Sequence, residues 1–365
     1  MPRRAGSFLT GLLMAVAALV VPASVGPAAA APCAPPPAAD TSTARGWVGY
    51  LAAHPNDYGL LVTDRGRVTV SHRPDRTLPA ASAAKIITLA AYGRAVATGA
   101  VDPKRTVSVN EWERWYLPID GGAHVSALKY LGLPALQNFP GARPETQRVS
   151  LAQLADVMVR FSDSAASDAL RAALGDARLA AVMARYGMTG PPPQYAGLYL
   201  SLLDPTSRGQ FRVQAAGRRY HDDAAYRTAM FTLATRGVSA SDSQIDATYS
   251  LTTRSLNTLI GSIATGAFGP GSEQARAVLE FQGAAADGSM VGFKGGSLAA
   301  STDSVLVENF ERRTASGAIT TATLMVRGLS RSDFDRSNYA QQELMLSAMT
   351  DPDAAAALRC AAGGH

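Results

Sequence analysis

Strand-like segments lie near both ends of this 365-residue chain, separated by a long helical region, and this order limits the possible folds most. Residues 58–63 and 67–71 are rich in β-branched and apolar residues, and Asp64-Arg65-Gly66 between them is a hairpin turn signal. Near the other end, strands are predicted at 291–293, 304–309 and 318–326. Strands from the two ends of one domain can form a single sheet, with the helices inserted between them.

The other periodic segments predict helices. Helices are predicted over residues 82–97, 165–174, 176–186, 271–281, 333–349 and 352–358. For three more helices only one end is predicted: one ends at residue 53, one starts at 149–150 and one starts at 252. Residues 112–148 and 191–249 carry no clear pattern. The chain is therefore predicted to be α/β, with an all-helical lobe at approximately residues 100–265.

The first 30 residues have the composition of a secretory signal peptide. Arg3-Arg4 supplies a positive start, residues 8–21 form a short apolar stretch, and Ala28-Ala29-Ala30 is a small-residue cleavage site. We expect cleavage after Ala30 and a secreted, extracytoplasmic protein. No later stretch reaches about 18 apolar residues, so no transmembrane segment is expected in the mature protein.

Residues 31–41 are rich in proline and alanine and are predicted to form a mobile leader before a single domain at 42–365. The two cysteines, Cys33 and Cys360, stand at opposite ends of the exported part. An oxidising compartment favours a disulfide between them, and two unpaired cysteines are the alternative. Pro32 directly before Cys33 argues against a lipid-anchored cysteine.

Charge and motif content exclude several kinds of function. The net charge is +5, but the basic residues form no run of five or more, so nucleic-acid binding is not expected. The chain has five histidines and neither a His-Glu-x-x-His nor a Gly-x-Ser-x-Gly motif. We expect no metal, no cofactor and a monomer.

The first candidate catalytic motif is Ser82-Ala83-Ala84-Lys85. On a helix, residues three apart share a face, so Lys85 can reach Ser82. A serine hydroxyl needs a base to become a nucleophile, and a neutral lysine can be that base. Ser126-Ala127-Leu128-Lys129 has the same spacing but lacks a preceding hairpin, and we interpret it as chance. Only four of the 34 basic residues are lysines, and two of them lie in candidate motifs.

Two further motifs carry polar groups that suit a catalytic cleft. Ser162-Asp163-Ser164 lies between two predicted helices and can present hydroxyls to a cleft, or it can simply cap the second helix. Residues 293–297, Phe-Lys-Gly-Gly-Ser, lie on a late strand. Lys294 faces away from Phe293, and two glycines permit close approach of a ligand. A bulge or a strand end is the alternative for this segment.

Taken in order, Ser-x-x-Lys, Ser-Asp-x and Lys-x-Gly resemble the class A β-lactamases and penicillin-binding proteins. The resemblance extends over residues 57–110, 149–188 and 252–281. It implies an α/β/α sandwich with a mostly antiparallel five-stranded sheet beside the helical lobe, and a cleft between them. It also implies an acyl-enzyme on a serine with a β-lactam, an ester or a D-alanyl peptide, as in β-lactamases, D-Ala-D-Ala carboxypeptidases or esterases.

The resemblance assigns roles residue by residue. Ser82 is the nucleophile, Lys85 is its base and Ser162 relays a proton to the leaving group. Lys294 stabilises nearby charge, and the backbone N–H groups of Ser82 and Ser297 form the oxyanion hole. The substrate-binding positions are Ser164, Gly295, Gly296 and Ser297.

Three departures from the family pattern are visible. Ser164 stands where the family has asparagine. Gly295 stands where it has threonine or serine, and Ser297 or Ser301 can supply the missing hydroxyl. The glutamate that activates the deacylating water is absent, since no glutamate occurs at 146–272. The acidic residues in the corresponding segment are Asp204, Asp222, Asp223, Asp242 and Asp246.

We therefore predict a serine hydrolase that is acylated readily but turns β-lactams over poorly. The alternative is a degenerate binding protein that holds penicillin or cell-wall peptide with little or no turnover. His124, in Asp-Gly-Gly-Ala-His, lines the site in one interpretation and is a structural loop histidine in the other.

Overall fold

The computed structural model describes residues 33–134, 143–204, 206, 209–237, 240–299 and 303–363. The strands are β1 Tyr58–Asp64, β2 Arg67–His72, β3 Thr77–Pro79, β4 Thr106–Ser108, β5 Arg148–Ser150, β6 Ser250–Thr252, β7 Met290–Phe293, β8 Gly296–Leu298, β9 Ser304–Arg313 and β10 Ile319–Leu329. The helices are α1 Ala44–Ala53, α2 Lys85–Ala97, α3 Val109–Glu113, α4 Ala123–Tyr130, α5 Leu151–Arg160, α6 Ser164–Leu174, α7 Asp176–Arg185, α8 Tyr195–Leu203, α9 Gln210–Asp222, α10 Ala224–Ala234, α11 Asp242–Asp246, α12 Thr253–Thr265, α13 Ser272–Leu279, α14 Arg331–Ser337, α15 Ala340–Thr350 and α16 Pro352–Ala361. A single 3₁₀ turn, Ala81–Ala84, precedes α2.

The main sheet joins strands from both ends of the chain, as predicted. Its order is β2-β1-β10-β9-β7, with β8 also paired to β9, and all pairings are antiparallel. Strand β1 lies beside β10, with Tyr58 opposite Val326. The sheet is thus five strands wide, and its edge strand is divided into β7 and β8 at Lys294-Gly295. The predicted fold class is confirmed.

The β1–β2 hairpin turns where the sequence predicts it. Arg65 and Gly66 have φ of 47° and 77°, which are the two positive values that a tight two-residue hairpin turn needs. Gly66 adopts this backbone conformation without steric cost, and this hairpin leads the chain towards the turn that carries Ser82.

The two faces of the sheet pack against different helices. Along β10, Leu324 belongs to the apolar cluster that includes Trp47 of α1, whereas its neighbour Met325 belongs to the cluster that includes Ile87 of α2. Adjacent side chains on a strand point to opposite faces, so this alternation gives the sheet one core on each side. Helices α1, α15 and α16 cover one face and α12 covers the other.

The helical predictions need correction in three places. The segments 112–148 and 191–249 show no clear pattern, but the first contains α4 and the second contains the four helices α8 to α11. The single helix predicted over 333–349 is two helices, because Asn338 and Tyr339 adopt positive φ values of 36° and 71° and break the chain between them. Neither glycine nor proline marks that break, and Asn338, which tolerates positive φ better than most residues, is its only local signal.

The two ends of the described chain are joined covalently. Cys33 and Cys360 form a disulfide with their Cα atoms 5.5 Å apart. Residues 37–40 pack against α1 so closely that a Cβ at Gly46 would lie 2.0 Å from the Asp40 carbonyl oxygen. The mobility of residues 31–41 stays a prediction, and the proposed signal peptide lies outside the described residues. Within the part that is described, no helix is both long and apolar enough to cross a bilayer.

Candidate active site

The Ser82 hydroxyl and the Lys85 amine meet at the start of α2. Ser82 lies on the 3₁₀ turn and Lys85 begins the helix, so the three-residue spacing brings Lys85 Nζ within 2.8 Å of Ser82 Oγ. Ala81, directly before Ser82, has a φ of 44°. A non-glycine residue in this region is strained by about 1–3 kcal/mol, and such strain clusters at functional sites.

The Lys85 amine is completely buried among neutral oxygen atoms. Its Nζ lies 2.5 Å from the carbonyl oxygen of Ser162 and 3.0 Å from Ser164 Oγ, and it sits 4.4 Å from the centre of the Tyr195 ring. None of the described ion pairs includes this amine. Burial lowers the pKa of Lys85 to about 8, against the opposing effect of the nearby aspartates. A substantial fraction of the amine is therefore neutral near pH 8.

The Ser162 hydroxyl lies between two lysines. Its Oγ is 3.3 Å from Lys85 Nζ and 2.9 Å from Lys294 Nζ. Ser162 has a φ of 64° in the bend between α5 and α6, which turns both its carbonyl and its hydroxyl toward the amines. Ser162 is thus the physical link between the two motifs that contain lysine.

Asp163 caps α6, whereas Ser162 presents its hydroxyl to the cleft. The Ser-Asp-Ser motif therefore does both things that the sequence analysis considered, with a different residue for each. Asp163 Oδ1 accepts a hydrogen bond from Ala166 N, and its Oδ2 lies 2.9 Å from His124 Nδ1. His124 is fully buried and contacts Glu113 at 3.8 Å. Burial disfavours its charged form, but Asp163 and Glu113 outweigh this and raise the pKa of His124 to about 9. His124 lies behind Asp163, outside the wall of the cleft.

The Ser164 hydroxyl is buried as well, at 3.0 Å from Lys85 Nζ and 2.9 Å from the Tyr199 hydroxyl. It lies outside the cleft wall, although the sequence predicts a contact with substrate at this position. Its contacts suit positioning of the lysine amine.

Lys294 occupies the break in the edge strand. Its Nζ lies 2.6 Å from the carbonyl oxygen of Gly295, and its own backbone N–H donates to Asn309 O. Burial, followed by the positive charge of Lys85, holds the pKa of Lys294 well below the ordinary lysine value, against the pull of Glu308. Two buried amines thus share one hydroxyl, and their mutual repulsion favours the neutral form of one of them.

Gly296 allows β8 to lie directly against the nucleophile turn. A Cβ at this position would lie 2.5 Å from Ser82 N and 2.6 Å from Ala83 N, and both are backbone atoms. At Gly295, a Cβ would lie 2.4 Å from Phe293 Cζ and 2.9 Å from the Val307 carbonyl oxygen. The threonine or serine of the family pattern would therefore displace the Phe293 ring.

One cleft of about 960 Å³ contains most of these groups. Its wall includes the predicted site residues Ser82, Ser162, Lys294, Gly295, Gly296 and Ser297. Ser297 is exposed on β8, and Ser301 lies outside the described residues. Among the described residues, no group of three or more His, Cys, Asp or Glu side chains is arranged to hold a metal ion.

Comparison with known proteins gives a family match for part of the chain and a shared fold for most of it. Residues 46–214 match the model of the β-lactamase enzyme family. The matched segment contains Ser82, Lys85 and Ser162 and ends before Lys294. No curated protein sequence matches it significantly.

Many solved structures are similar to this chain in fold, and three of them illustrate the similarity. A β-lactamase from Sphaerobacter thermophilus is 16% identical, with 86% of this chain and 94% of that chain covered, at a TM-score of 0.52. A β-lactamase from Chitinophaga pinensis is 12% identical, with 84% and 99% covered, at 0.51. The L2 protein complexed with relebactam is 15% identical, with 88% and 96% covered, at 0.51. At these identities, the likeness shows the fold and not the reaction.

Helix α8 brings two tyrosines to the site, and no motif in the sequence predicts them. Tyr195 lies under the Lys85 amine and Tyr199 contacts Ser164. Asp168 of α6 accepts hydrogen bonds from the backbone N–H groups of Tyr195 and Ala196, which fixes the start of α8. Burial raises the pKa of both tyrosines, so neither is a base at neutral pH.

Among the acidic residues that could substitute for the missing glutamate, those with described side chains contact residues other than Ser82 and Lys85. Asp246 pairs with Arg327, Asp223 caps α10 and Asp222 contacts His221. Asp204 contacts Thr206, and the side chain of Asp242 lies outside the described part of the structure. None of the described hydrogen bonds or ion pairs joins a carboxylate to Ser82 or Lys85.

Proposed function

We propose that this protein is a serine hydrolase that forms an acyl-enzyme on Ser82 with a β-lactam, an ester or a D-alanyl peptide. The observation that carries the proposal is a fully buried Lys85 amine, 2.8 Å from Ser82 Oγ, in surroundings that favour its neutral form. A neutral amine at this distance can act as the general base for the hydroxyl.

The charge balance around Lys85 supports this role. Among the carboxylates that raise the pKa of Lys85, Asp163 has the largest effect, and it is already paired with His124, whose pKa is raised to about 9. Because the imidazolium of His124 balances Asp163 near neutral pH, this aspartate holds a proton on Lys85 less strongly than an unpaired carboxylate would. Burial then lowers the pKa of Lys85 to about 8, so the fraction of free amine at neutral pH is far larger than for an exposed lysine.

Acylation follows from these positions. Ser82 Oγ attacks the carbonyl carbon of the substrate while Lys85 Nζ takes its proton, and the backbone N–H groups of Ser82 and Ser297 stabilise the oxyanion. The proton then passes through Ser162 Oγ to the leaving nitrogen or oxygen as the bond to the acyl carbon breaks. Lys294, 2.9 Å from that hydroxyl, orients it.

Deacylation is expected to be the slow step. Helix α8 places protonated tyrosines beside Lys85 and Ser164, and the described contacts of Ser82 and Lys85 include no carboxylate. Loss of a general base typically costs a factor of about 10²–10⁴ in the step that it serves. If deacylation is extremely slow, the protein is in effect a binding protein with little or no turnover. The absence of a carboxylate from the described contacts of Ser82 and Lys85 favours this alternative as well.

The setting of the reaction follows from the sequence. We propose that residues 1–30 are removed on export and that the mature protein acts outside the cytoplasm as a monomer, with no metal or cofactor. The Cys33–Cys360 disulfide fits an oxidising compartment. The proposed catalytic domain is 42–365, with the helical lobe at approximately 100–265.

The test is to incubate the protein with a reporter penicillin and an activated ester, and to follow intact mass and product release. We expect an adduct that peptide mapping places on Ser82, slow release, and no adduct on Ser82→Ala. The second Ser-x-x-Lys segment supplies an internal control, because Ser126 should carry no label. Absence of both adduct and hydrolysis for all reagents contradicts the proposal. Peptide binding to Ser82→Ala and to the parent protein alike, without acylation, identifies the binding protein instead.

A further inference from the structure

One wall of the catalytic cleft carries aromatic rings and a guanidinium beside Ser162. Arg160 is the last residue of α5, and Phe161 directly precedes Ser162. Phe281 lies just after α13, and Arg160, Phe161 and Phe281 all line the cleft. Tyr130, at the end of α4, packs against Arg160 and Phe161. We call Tyr130, Arg160, Phe161 and Phe281 the Arg160 platform.

The flat groups of the Arg160 platform pack on one another. The guanidinium carbon of Arg160 lies 4.4 Å from the centre of the Phe281 ring and 4.9 Å from the centre of the Tyr130 ring. The rings of Tyr130 and Phe161 meet edge to face, with their centres 5.3 Å apart. Such contacts are favourable between a cation and a ring and between two rings. The rings are therefore held in defined orientations by contacts within the platform.

The Arg160 platform also has apolar surface open to solvent. Among the described residues, the exposed large hydrophobic side chains are Val68, Val125, Tyr130 and Tyr339. Val125 and Tyr130 both belong to α4, whose first turn lines the cleft, and Tyr339 lines the cleft directly. Most of this exposed apolar surface thus lies at one cleft, and apolar surface gathered at a cleft marks a binding site.

The charge of Arg160 is already engaged by a neighbouring carboxylate. Its Nε and Nη2 each lie 3.3 Å from Asp156 Oδ1. An anionic group at the platform would compete with Asp156 for these N–H groups, whereas an aromatic ring needs none of them. A ring can stack on Phe281 or meet Phe161 edge to face, and the nearby guanidinium attracts its π face. The platform therefore suits a flat aromatic group.

The position of the platform next to Ser162 indicates which half of a substrate it contacts. In the proposed mechanism, Ser162 Oγ passes a proton to the departing nitrogen or oxygen. Phe161 is the adjacent residue in the chain, and both residues line the cleft. The group bonded to the departing atom therefore lies beside the platform.

We propose that the Arg160 platform is a binding subsite for an aromatic ring on the departing side of the scissile bond, such as the alcohol portion of an ester. The inference rests on the proposed function, because it names the class of substrate that the same cleft accepts. It places no restriction on the acyl portion, or on a carboxylate elsewhere in the substrate.

The test uses three matched acyl-D-alanyl esters whose alcohol portion ends in a phenyl ring, a cyclohexyl ring or a carboxylate. Binding of each ester to Ser82→Ala is measured by calorimetry. Phenyl and cyclohexyl groups bury similar apolar areas, so the difference between them reports on ring stacking. We expect the phenyl ester to bind at least about threefold more tightly than either of the others.

The other outcomes overturn the inference. Equal or tighter binding of the cyclohexyl ester would show that only apolar burial matters. Tighter binding of the carboxylate ester would show that Arg160 forms an anion site instead. Absence of binding by all three esters also contradicts the subsite.

A pair of variants, made in the Ser82→Ala protein, assigns the preference to the platform. Phe281→Leu keeps an apolar side chain but removes the ring, so the preference for phenyl over cyclohexyl should fall to less than about 1.5-fold. Tyr339→Leu is the matched control, because it removes an exposed ring elsewhere on the cleft wall, and it should keep the parental preference. A preference that survives Phe281→Leu, or that Tyr339→Leu also removes, contradicts the assignment. If Phe281→Leu fails to fold, the ranking of the three esters on Ser82→Ala still decides.

The two proposals fail separately. If the esters rank as expected in binding but the parent protein forms no adduct on Ser82 with any reagent, the proposed hydrolase function is wrong and the subsite stands. If Ser82 is acylated by trifluoroethyl acetate, an activated ester without a ring, but the phenyl ester has no advantage in binding, the subsite is wrong and the hydrolase function stands.

Discussion

Acylation of Ser82 should depend on pH through the ionisation of Lys85. With a pKa of about 8, about one molecule in eleven carries a neutral Lys85 at pH 7, whereas at the ordinary lysine value the fraction would be about one in 3,000. Burial thus raises the population of the reactive form about 300-fold at pH 7. The sign follows directly, since only the neutral amine can take the proton from Ser82 Oγ.

The assay is a stopped-flow or quenched time course of acylation by an activated ester from pH 5.5 to 9.5. The rate should rise about tenfold per pH unit below pH 7, reach half its maximum near pH 8 and level off above pH 9. Lys85→Arg keeps the charge but cannot deprotonate, and Lys85→Met removes the amine, so both should lose about 10²–10⁴ in rate. Lys129→Met, on the exposed lysine of the second Ser-x-x-Lys, is the matched control. A rate independent of pH, or a Lys85→Arg variant with parental rate, refutes the reasoning.

Three further predictions concern packing and stability. Gly296→Ala places a Cβ 2.5 Å from Ser82 N, so this variant should be acylated about 10²-fold more slowly. Gly261→Ala is the control, because its new Cβ would lie 3.3 Å from the nearest atom, and it should be acylated at the parental rate. Equal rates for the two variants would contradict the close approach of β8 to the Ser82 turn. Replacing Cys33 and Cys360 by serine opens a loop with a sequence separation of 327 residues. In denaturant titrations this should lower the free energy of unfolding by about 4 kcal/mol. An unchanged denaturation midpoint would count against the disulfide. Burial raises the pKa of Glu308 from 4.5 to about 8, against the nearby amides and Lys294, so the folded state holds a proton that the unfolded chain has lost and stability falls as pH rises through this window. Glu308→Gln should therefore gain more in Tm relative to the parent protein at pH 8.5 than at pH 5, and an equal difference at both pH values would show that Glu308 is not buried as described.

The sheet could be predicted because its long strands carry local signals. The alternation in β1 and β2 and the Asp64-Arg65-Gly66 turn are readable from a few neighbouring residues. Strands β3 to β6 are three residues each. A strand of this length is too short for a period of two to appear, so the hydrophobic pattern does not predict these strands. The break at Asn338-Tyr339 carries only the weak signal of an asparagine within an otherwise helical pattern, and no pattern predicts the positive φ of Tyr339.

The candidate site likewise combines contacts that local spacing predicts with contacts that only the tertiary structure reveals. Ser82 and Lys85 are paired by helix geometry over three residues, so spacing alone predicts their contact. Ser162 and Lys294 are 132 residues apart, and only the order of the three motifs suggested that they meet. Tyr195, Tyr199 and Glu308 reach the site through tertiary structure from segments without a motif, so no local pattern could identify them.

The most direct test of the central claim is the ionisation of Lys85 itself. The sequence contains four lysines, so isotope labelling of lysine and NMR titration of the side-chain resonances should give four separate signals, with Lys85→Met providing the assignment. The Lys85 signal should titrate with a pKa of about 8 in the mature protein. Titration of Lys85 near 10.4, the value of an exposed lysine, would show a charged amine beside Ser82 and would contradict the proposed mechanism.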